Sequence, residues 1–316
     1  MTLPTKADVA AFATGLGLSW TTTAAPALTQ LYLNAKALEP PPPPQPPTPI
    51  PGLALVKTFE PDLTQPLSQY SFAGNPSGLF KTNLWFGSDG DNHLFNGSVS
   101  VWPDSPGSRA GGSDLQTYSD QAYNSINPFS AGPDGLTITA AKNPNPADPL
   151  TPNPYTSGIV TTQQTFLQRY GYFEADVSVP SVKGTWPAFW LLGEPYTPYQ
   201  ADEIDIAEFL GGTPGQVYQN AHSPRLGWNA PSAQAGFAGS RVTVGLLWAP
   251  ASLTWYVNGA QAAQCPNPGL HWPMYVLANL AMGPKDGGWA ALNTPVDDAH
   301  LPARFTLHRL SVWRLP

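Results

Sequence analysis

The sequence predicts an all-β sandwich over residues 53–316. Three observations predict it: several segments alternate with period two, Gly and Pro are frequent between them, and no long amphipathic helix interrupts them. Leu136-Thr137-Ile138-Thr139-Ala140 is the first alternating segment. Tyr172 to Val179 follows, with Phe173, Ala175, Val177 and Val179 on one face. Val242 to Trp248 and Leu253 to Val257 read as a hairpin joined by Ala249-Pro250-Ala251-Ser252 and ended by the turn pair Asn258-Gly259. Tyr275 to Met282 is almost wholly apolar, as expected of an inner strand covered on both faces. Phe305 to Leu315 supplies a last strand.

Ahead of the sandwich lies a different composition. Nine prolines fall in residues 40–51. Such a run favours polyproline II, at about 3.1 Å per residue, and gives a semi-rigid spacer of roughly 35–40 Å. The same run would also suit a proline-binding domain. Residues 1–39 read as a short helical appendage. Thr5 would cap a helix to about Leu16, with Val9, Phe12 and Ala13 on one face, and a second would span Ala25 to Leu38. So small a piece buries little surface alone, and it reads either as an anchor to a larger assembly or as a tail. Val9 to Leu18 is mildly apolar, and Ala24 to Ala27 resembles a cleavage site. Asp8, Gly15 and Gly17 interrupt the pattern, so it makes no convincing signal peptide. The expected division is therefore an appendage at 1–39, a linker at 40–52 and a sandwich at 53–316.

Bulk chemistry narrows the function. With 14 Lys plus Arg and a formal net charge of −7, the chain has no basic stripe for nucleic acid. No apolar stretch approaches the ~18 residues of a membrane helix. The single cysteine, Cys265, closes no intrachain disulfide, and the five histidines show no metal-ligand spacing. Eleven Trp, twelve Tyr and thirteen Phe are enough to line a sugar-binding cleft as well as a β-core, because pyranose rings present apolar C–H faces.

The chemistry concentrates in Glu203-Ile204-Asp205-Ile206-Ala207-Glu208. On a pleated strand Glu203 and Asp205 share a face, whereas Glu208, at an odd offset, points the other way. One extra residue in a bulge near Ile206–Ala207 would return Glu208 to their side. Acids gathered on one face raise the pKa of at least one of them. Glycoside hydrolysis needs that split between an ionised carboxylate and a protonated one. Five strand residues span roughly 13–16 Å between Cα atoms, while a retaining pair needs about 5–5.5 Å between carboxyls, so the side chains must lean together. If they do not, inversion follows. A calcium site and a solvated acidic edge are the competing readings of the same three acids.

These residues resemble the E-x-D-x-x-E signature of glycoside hydrolase family 16 in its bulged form, as in laminarinases and bacterial exopolysaccharide endo-β-glycanases. Tyr170 to Ala175, Gly184 to Leu192, Ala221-His222, Thr254 to Gly259 and Pro273 to Ala281 match further family blocks in order. The resemblance implies a concanavalin-like β-jelly roll of two antiparallel sheets with a groove across its concave face. It also implies a retaining endo-β-glycanase acting on internal β-1,3 or β-1,4 linkages of a β-glucan or exopolysaccharide, with Glu203 as nucleophile, Asp205 as its helper and Glu208 as acid/base. Trp186 and Trp190, four apart and so on one strand face, would line the nearest sugar subsites. His222 would lie near Glu208's end of the cleft, and Asn83, Trp85 and Trp289 would make further substrate contacts. No cofactor is implied, although some members hold a structural Ca²⁺, for which Asp89-Gly90-Asp91-Asn92 is a calcium-like loop. The alternatives are a carbohydrate-binding sandwich without catalysis and a transglycosylase of the same fold. The expected partner is a polysaccharide met outside the cell, by a secreted or a virion-associated enzyme, with residues 1–39 attaching it in the second case to a phage particle.

Overall fold

A computed structural model describes residues 49–65, 79–83, 114–163, 165–193, 202–223, 232–284 and 293–316. The helical patterns at 1–39, most of the proline spacer, Trp85, Trp289 and the loop at 89–92 lie outside the described residues. The chain from Gly52 to Pro316 forms one unit.

Its strands are β1 (Val56–Phe59), β2 (Gln116–Tyr118), β3 (Phe129–Gly132), β4 (Gly135–Lys142), β5 (Tyr155–Ser157), β6 (Ile159–Thr161), β7 (Gly171–Ser178) and β8 (Thr185–Gly193). The second half holds β9 (Glu203–Glu208), β10 (Gln216–His222), β11 (Ser232–Gly236), β12 (Arg241–Trp248), β13 (Ser252–Val257), β14 (Ala260–Pro266), β15 (Met274–Met282) and β16 (Ala303–Arg314). One helical turn, α1 (Gln121–Asn124), follows β2.

The strands form two sheets. The larger runs β14-β13-β12-β7-β16-β4-β5-β2, with β1 on β16 and β3 on β4; the smaller runs β11-β10-β9-β8-β15-β6. All pairs are antiparallel except β2 and β5, which run parallel. That short pair is the exception within the expected sandwich of two antiparallel sheets. The chain between them passes through α1 and the β3–β4 hairpin, long enough for the crossover a parallel pair requires.

The core fills the space between the sheets. Leu136, Ile138 and Ala140 of β4, Phe173, Ala175 and Val177 of β7, and Val242, Val244, Leu246 and Trp248 of β12 meet Phe189 and Leu191 of β8 and Val276, Ala278 and Leu280 of β15. Period-two alternation therefore located the inward faces of the expected strands. In β16 the inward residues change from odd to even number, Phe305 and Leu307 and then Leu310 and Val312. A register shift between Leu307 and Arg309 keeps all four on one side. β15 is buried at every position. On its second face Tyr275 and Leu277 pack with Tyr118, Ile159 and Leu192 in a satellite cluster, which explains why the run is apolar at almost every position.

One buried side chain fastens an end of the smaller sheet. Asn293 Oδ1 accepts from the backbone N–H groups of Gly184 at 2.9 Å and Gly212 at 3.0 Å. Its Nδ2 donates to the carbonyls of Thr185 at 3.0 Å and Gly283 at 2.9 Å. The start of β8, the turn after β9 and the end of β15 are thus held by one amide. Leaving such buried backbone groups unpaired costs about 1–3 kcal/mol each, reduced where water enters. Asn293→Ala is expected to lower unfolding free energy by about 2–4 kcal/mol in a urea titration. An unchanged midpoint would show that these backbone groups find other partners.

Candidate active site

β9 carries the bulge. Against β8, Ala188 pairs with Glu208 and Phe189 with Ala207, but Trp190 pairs with Asp205, so Ile206 is the extra residue. β10 shows the same slip, with Tyr218 opposite Glu208 and Asn220 opposite Asp205. Ile204, Ile206 and Ala207 all enter the core between the sheets, which leaves Glu203, Asp205 and Glu208 on the other face.

Side chains reach two backbone carbonyls at the bulge. Trp255, on β13 of the opposite sheet and 2% exposed, donates its indole N–H to the Asp205 carbonyl at 3.1 Å. Gln219 Nε2 approaches the Ile206 carbonyl at 3.5 Å. A buried carbonyl without a donor is costly, so these contacts favour the bulged path.

The three carboxyls are enclosed by protein, with Glu203 keeping a small opening onto the face above. Burial, and then the Asp205 charge, hold the Glu203 carboxyl well above its ordinary range. Burial, and then the Glu208 charge, raise Asp205 likewise. The two are joined by a hydrogen bond, so one proton is shared between them. His222 Nε2 lies 3.2 Å from Asp205 Oδ2. Glu208 is raised by burial, and this is opposed by two donors: Trp186 Nε1 to Oε1 at 3.0 Å and Asn220 Nδ2 to Oε2 at 2.8 Å. Like charges brought out of water thus keep the cluster partly protonated, which is the condition for a general acid.

Two hollows flank the acids. One, of about 150 Å³, lies towards β15 and is bordered by Asp114, Tyr118, Trp190 and Asn279. The other, of about 410 Å³, lies towards β11 and is bordered by Tyr218, Asn220, His222 and Gln234. All three carboxyls and Trp186 border both, so the acids sit midway along a trough that crosses the strands.

The profile of Glycosyl hydrolases family 16 matches residues 116–299, more than half of the chain. The chain belongs to this family. Among its relatives, an endo-1,3-1,4-beta-glycanase, EglC, of Rhizobium meliloti is 35% identical over 256 residues, covering 73% of this chain and 53% of the relative. A second Rhizobium meliloti endo-1,3-1,4-beta-glycanase, ExsH, is 35% identical over 214 residues, covering 61% and 46%. The chain thus spans about half the length of these curated relatives. The catalytic domain of an endo-1,3-beta-glucanase (laminarinase) from Thermotoga petrophila superimposes with a TM-score of 0.61 at 21% identity, covering 83% of this chain and 99% of that one. At that identity the likeness speaks for the fold: the jelly-roll sandwich of family 16.

Within this family 16 chain, Trp186 and Trp190 both face the trough, each fixed by its indole N–H. Trp190 Nε1 donates to Asn279 Oδ1 at 2.8 Å, and Asn279 Nδ2 donates to Tyr118 at 2.9 Å. His222 needs correction. It stands opposite Glu203 in the ladder and touches Asp205, so it lies at the Glu203 end of β9 and not at Glu208's end. Antiparallel pairing of β9 with β10 dictates this. Asn83 is 1% exposed, borders neither hollow, and its Nδ2 lacks a hydrogen-bond partner. Asn220, Asn279, Tyr118 and Asp114 border the trough although sequence reasoning passed over them. Asn279 had a signal, as the lone amide in an apolar run. Asn220 had another, sharing the parity of His222. Glu203, Asp205 and His222 bring polar atoms within 4.8 Å of one another.

Two expectations follow from this geometry. A carboxyl whose folded pKa is raised holds its proton after the unfolded chain, at about 4.3 for Glu, has lost it, so the fold loses stability as pH rises through that window. Glu203→Gln, which removes one such group, is expected to raise Tm more at pH 8 than at pH 4, each kcal/mol counting for about 2–4 °C. Equal Tm changes at both pH values would contradict the shared-proton cluster. Trp255→Phe keeps the ring packing but loses the indole N–H, and is expected to cost about 1–2 kcal/mol of stability in denaturant titrations; no loss would mean that the Asp205 carbonyl does not depend on it.

Proposed function

We propose that this chain is a retaining endo-β-glycanase that cuts internal β-1,3 or β-1,4 linkages of a β-glucan or bacterial exopolysaccharide. The observation that carries this reading is the convergence of three carboxyls on one face of β9, between two hollows that all three border. A trough with room on either side of the acids suits a polymer cut within its length. The names of the relatives, endo-1,3-1,4-beta-glycanases among them, support the choice of linkage.

Each residue has a task in a double displacement. Glu203 attacks the anomeric carbon as the bond to the departing sugar breaks. Glu208 gives its proton to the leaving oxygen. Asp205, joined to Glu203 by the shared proton, orients it and takes up the charge change as the carboxylate becomes an ester. Glu208, now ionised, removes a proton from water, which attacks the same carbon and frees Glu203. The Trp186 indole holds Glu208 in line, and the Trp190 face offers a surface for sugar C–H groups. The chemistry needs only side chains, so no cofactor is invoked, and a polymeric substrate supports a reading in which the enzyme acts outside the cell.

The test is a reducing-end assay on laminarin, mixed-linkage β-glucan and isolated exopolysaccharide, with NMR of the first-formed products. The expected result is new reducing ends in the β-configuration before mutarotation, and a loss of roughly 10⁴-fold or more in Glu203→Gln. Binding without new ends, an α-configured first product, or full activity in Glu203→Gln would each overturn the proposal.

A further inference from the structure

We propose that Asn220 is a positioning residue that governs whether Glu208 carries its proton; its catalytic meaning rests on the reading of Glu208 as acid/base. The geometry is unusual for the ladder. Asn220 stands directly opposite Asp205, while the residue opposite Glu208 is Tyr218. The extra residue in β9 is what brings the Glu208 carboxyl within 2.8 Å of the Asn220 amide.

Tyr218, Asn220 and His222 share one face of β10, while Val217, Gln219 and Ala221 are buried behind them. β10 therefore gives two of the three acids a partner each, His222 to Asp205 and Asn220 to Glu208. The partners differ in kind. An imidazole can change charge, whereas an amide keeps its donor at every pH.

The titratable groups facing Glu208 are few among the described residues. Its own strand presents Glu203 and Asp205, whose charges disfavour its ionisation. β10 presents His222, whose charge favours it, and Tyr218. Asp114, and Tyr118 of β2, border the smaller hollow, and β8, β11 and β15 present no titratable group to either hollow. Against burial and two neighbouring acids, the ionised form of Glu208 is sustained by two neutral donors, Trp186 on one oxygen and Asn220 on the other. Both forms are needed in each turnover. Without Asn220 the acid would hold its proton too firmly to serve as base in the second half of the reaction.

The experiment follows the Glu208 carboxyl directly, by ¹³C NMR titration of the full chain labelled at glutamate, with Glu208→Gln to assign the signal. Asn220→Ala is expected to shift the ionised-to-protonated ratio at a given pH about tenfold towards the protonated form, since a hydrogen bond to a charged group is lost. Asn220→Asp, nearly isosteric and tolerant of the same packing, sets another carboxylate beside Glu208 and is expected to shift it further. A purely structural role would move neither in that order. The pH profile of kcat should shift in parallel. An unmoved Glu208 midpoint in both variants would overturn the proposal, whether or not any sugar is cleaved. A midpoint that moves as expected, in a protein that cuts no β-glucan, would uphold the coupling and sink the glycanase reading instead.

Discussion

One additional residue in β9 is the constraint on which the site depends. Without it, Glu208 would point between the sheets, and Glu203 and Asp205 would stand without the third carboxyl. A bulge exposes backbone groups that a regular ladder would satisfy. Here the repair comes from both sides: Gln219 on the adjacent strand and Trp255 from the sheet behind. The core and the catalytic face are therefore not separate layers. An indole that fills the interior also holds the backbone beneath the acids.

The acids are maintained against strong electrostatic resistance. Three carboxyls taken out of water cannot all ionise together, and the cluster answers by sharing a proton between Glu203 and Asp205. Neutral donors surround Glu208, and the imidazole stands beside Asp205. Among the described residues no Lys or Arg borders either hollow, which leaves the proton balance to burial, hydrogen bonds and one histidine. That balance is what allows two chemically similar glutamates to take opposite parts.

Much of this could be read from the chain. β4 and β7 announced themselves by alternation, because one face of each meets a dry interior, and β12 and β13 by the hairpin they make. The acid row was legible for the same reason, since Ile204 and Ile206 fix which way the strand faces and the odd spacing to Glu208 demands a slip. Other elements were silent. Edge strands such as β14, with Ala260-Gln261-Ala262-Ala263-Gln264, bury little and so leave no pattern. The slip in β16 is hidden because apolar residues continue in both phases. The position of His222 depended on which residue of β10 faces which residue of β9, and pairing across strands is set by turns and tertiary packing that a single chain does not display. Asn220 went unnoticed because its partner is reached only through the bulge.

Asn293 has a consequence for the order in which the protein can be completed. It holds segments made well before it, Gly184 and Thr185 more than a hundred residues earlier and Gly212 81 residues earlier, together with Gly283 just before it. A ribosome delivers those earlier segments first, and they must wait with their polar groups satisfied by water until the clasp emerges. The catalytic strand is thus made early and locked late, and a nascent chain halted short of residue 293 would carry every acid of the site on a sheet whose end is still unfastened.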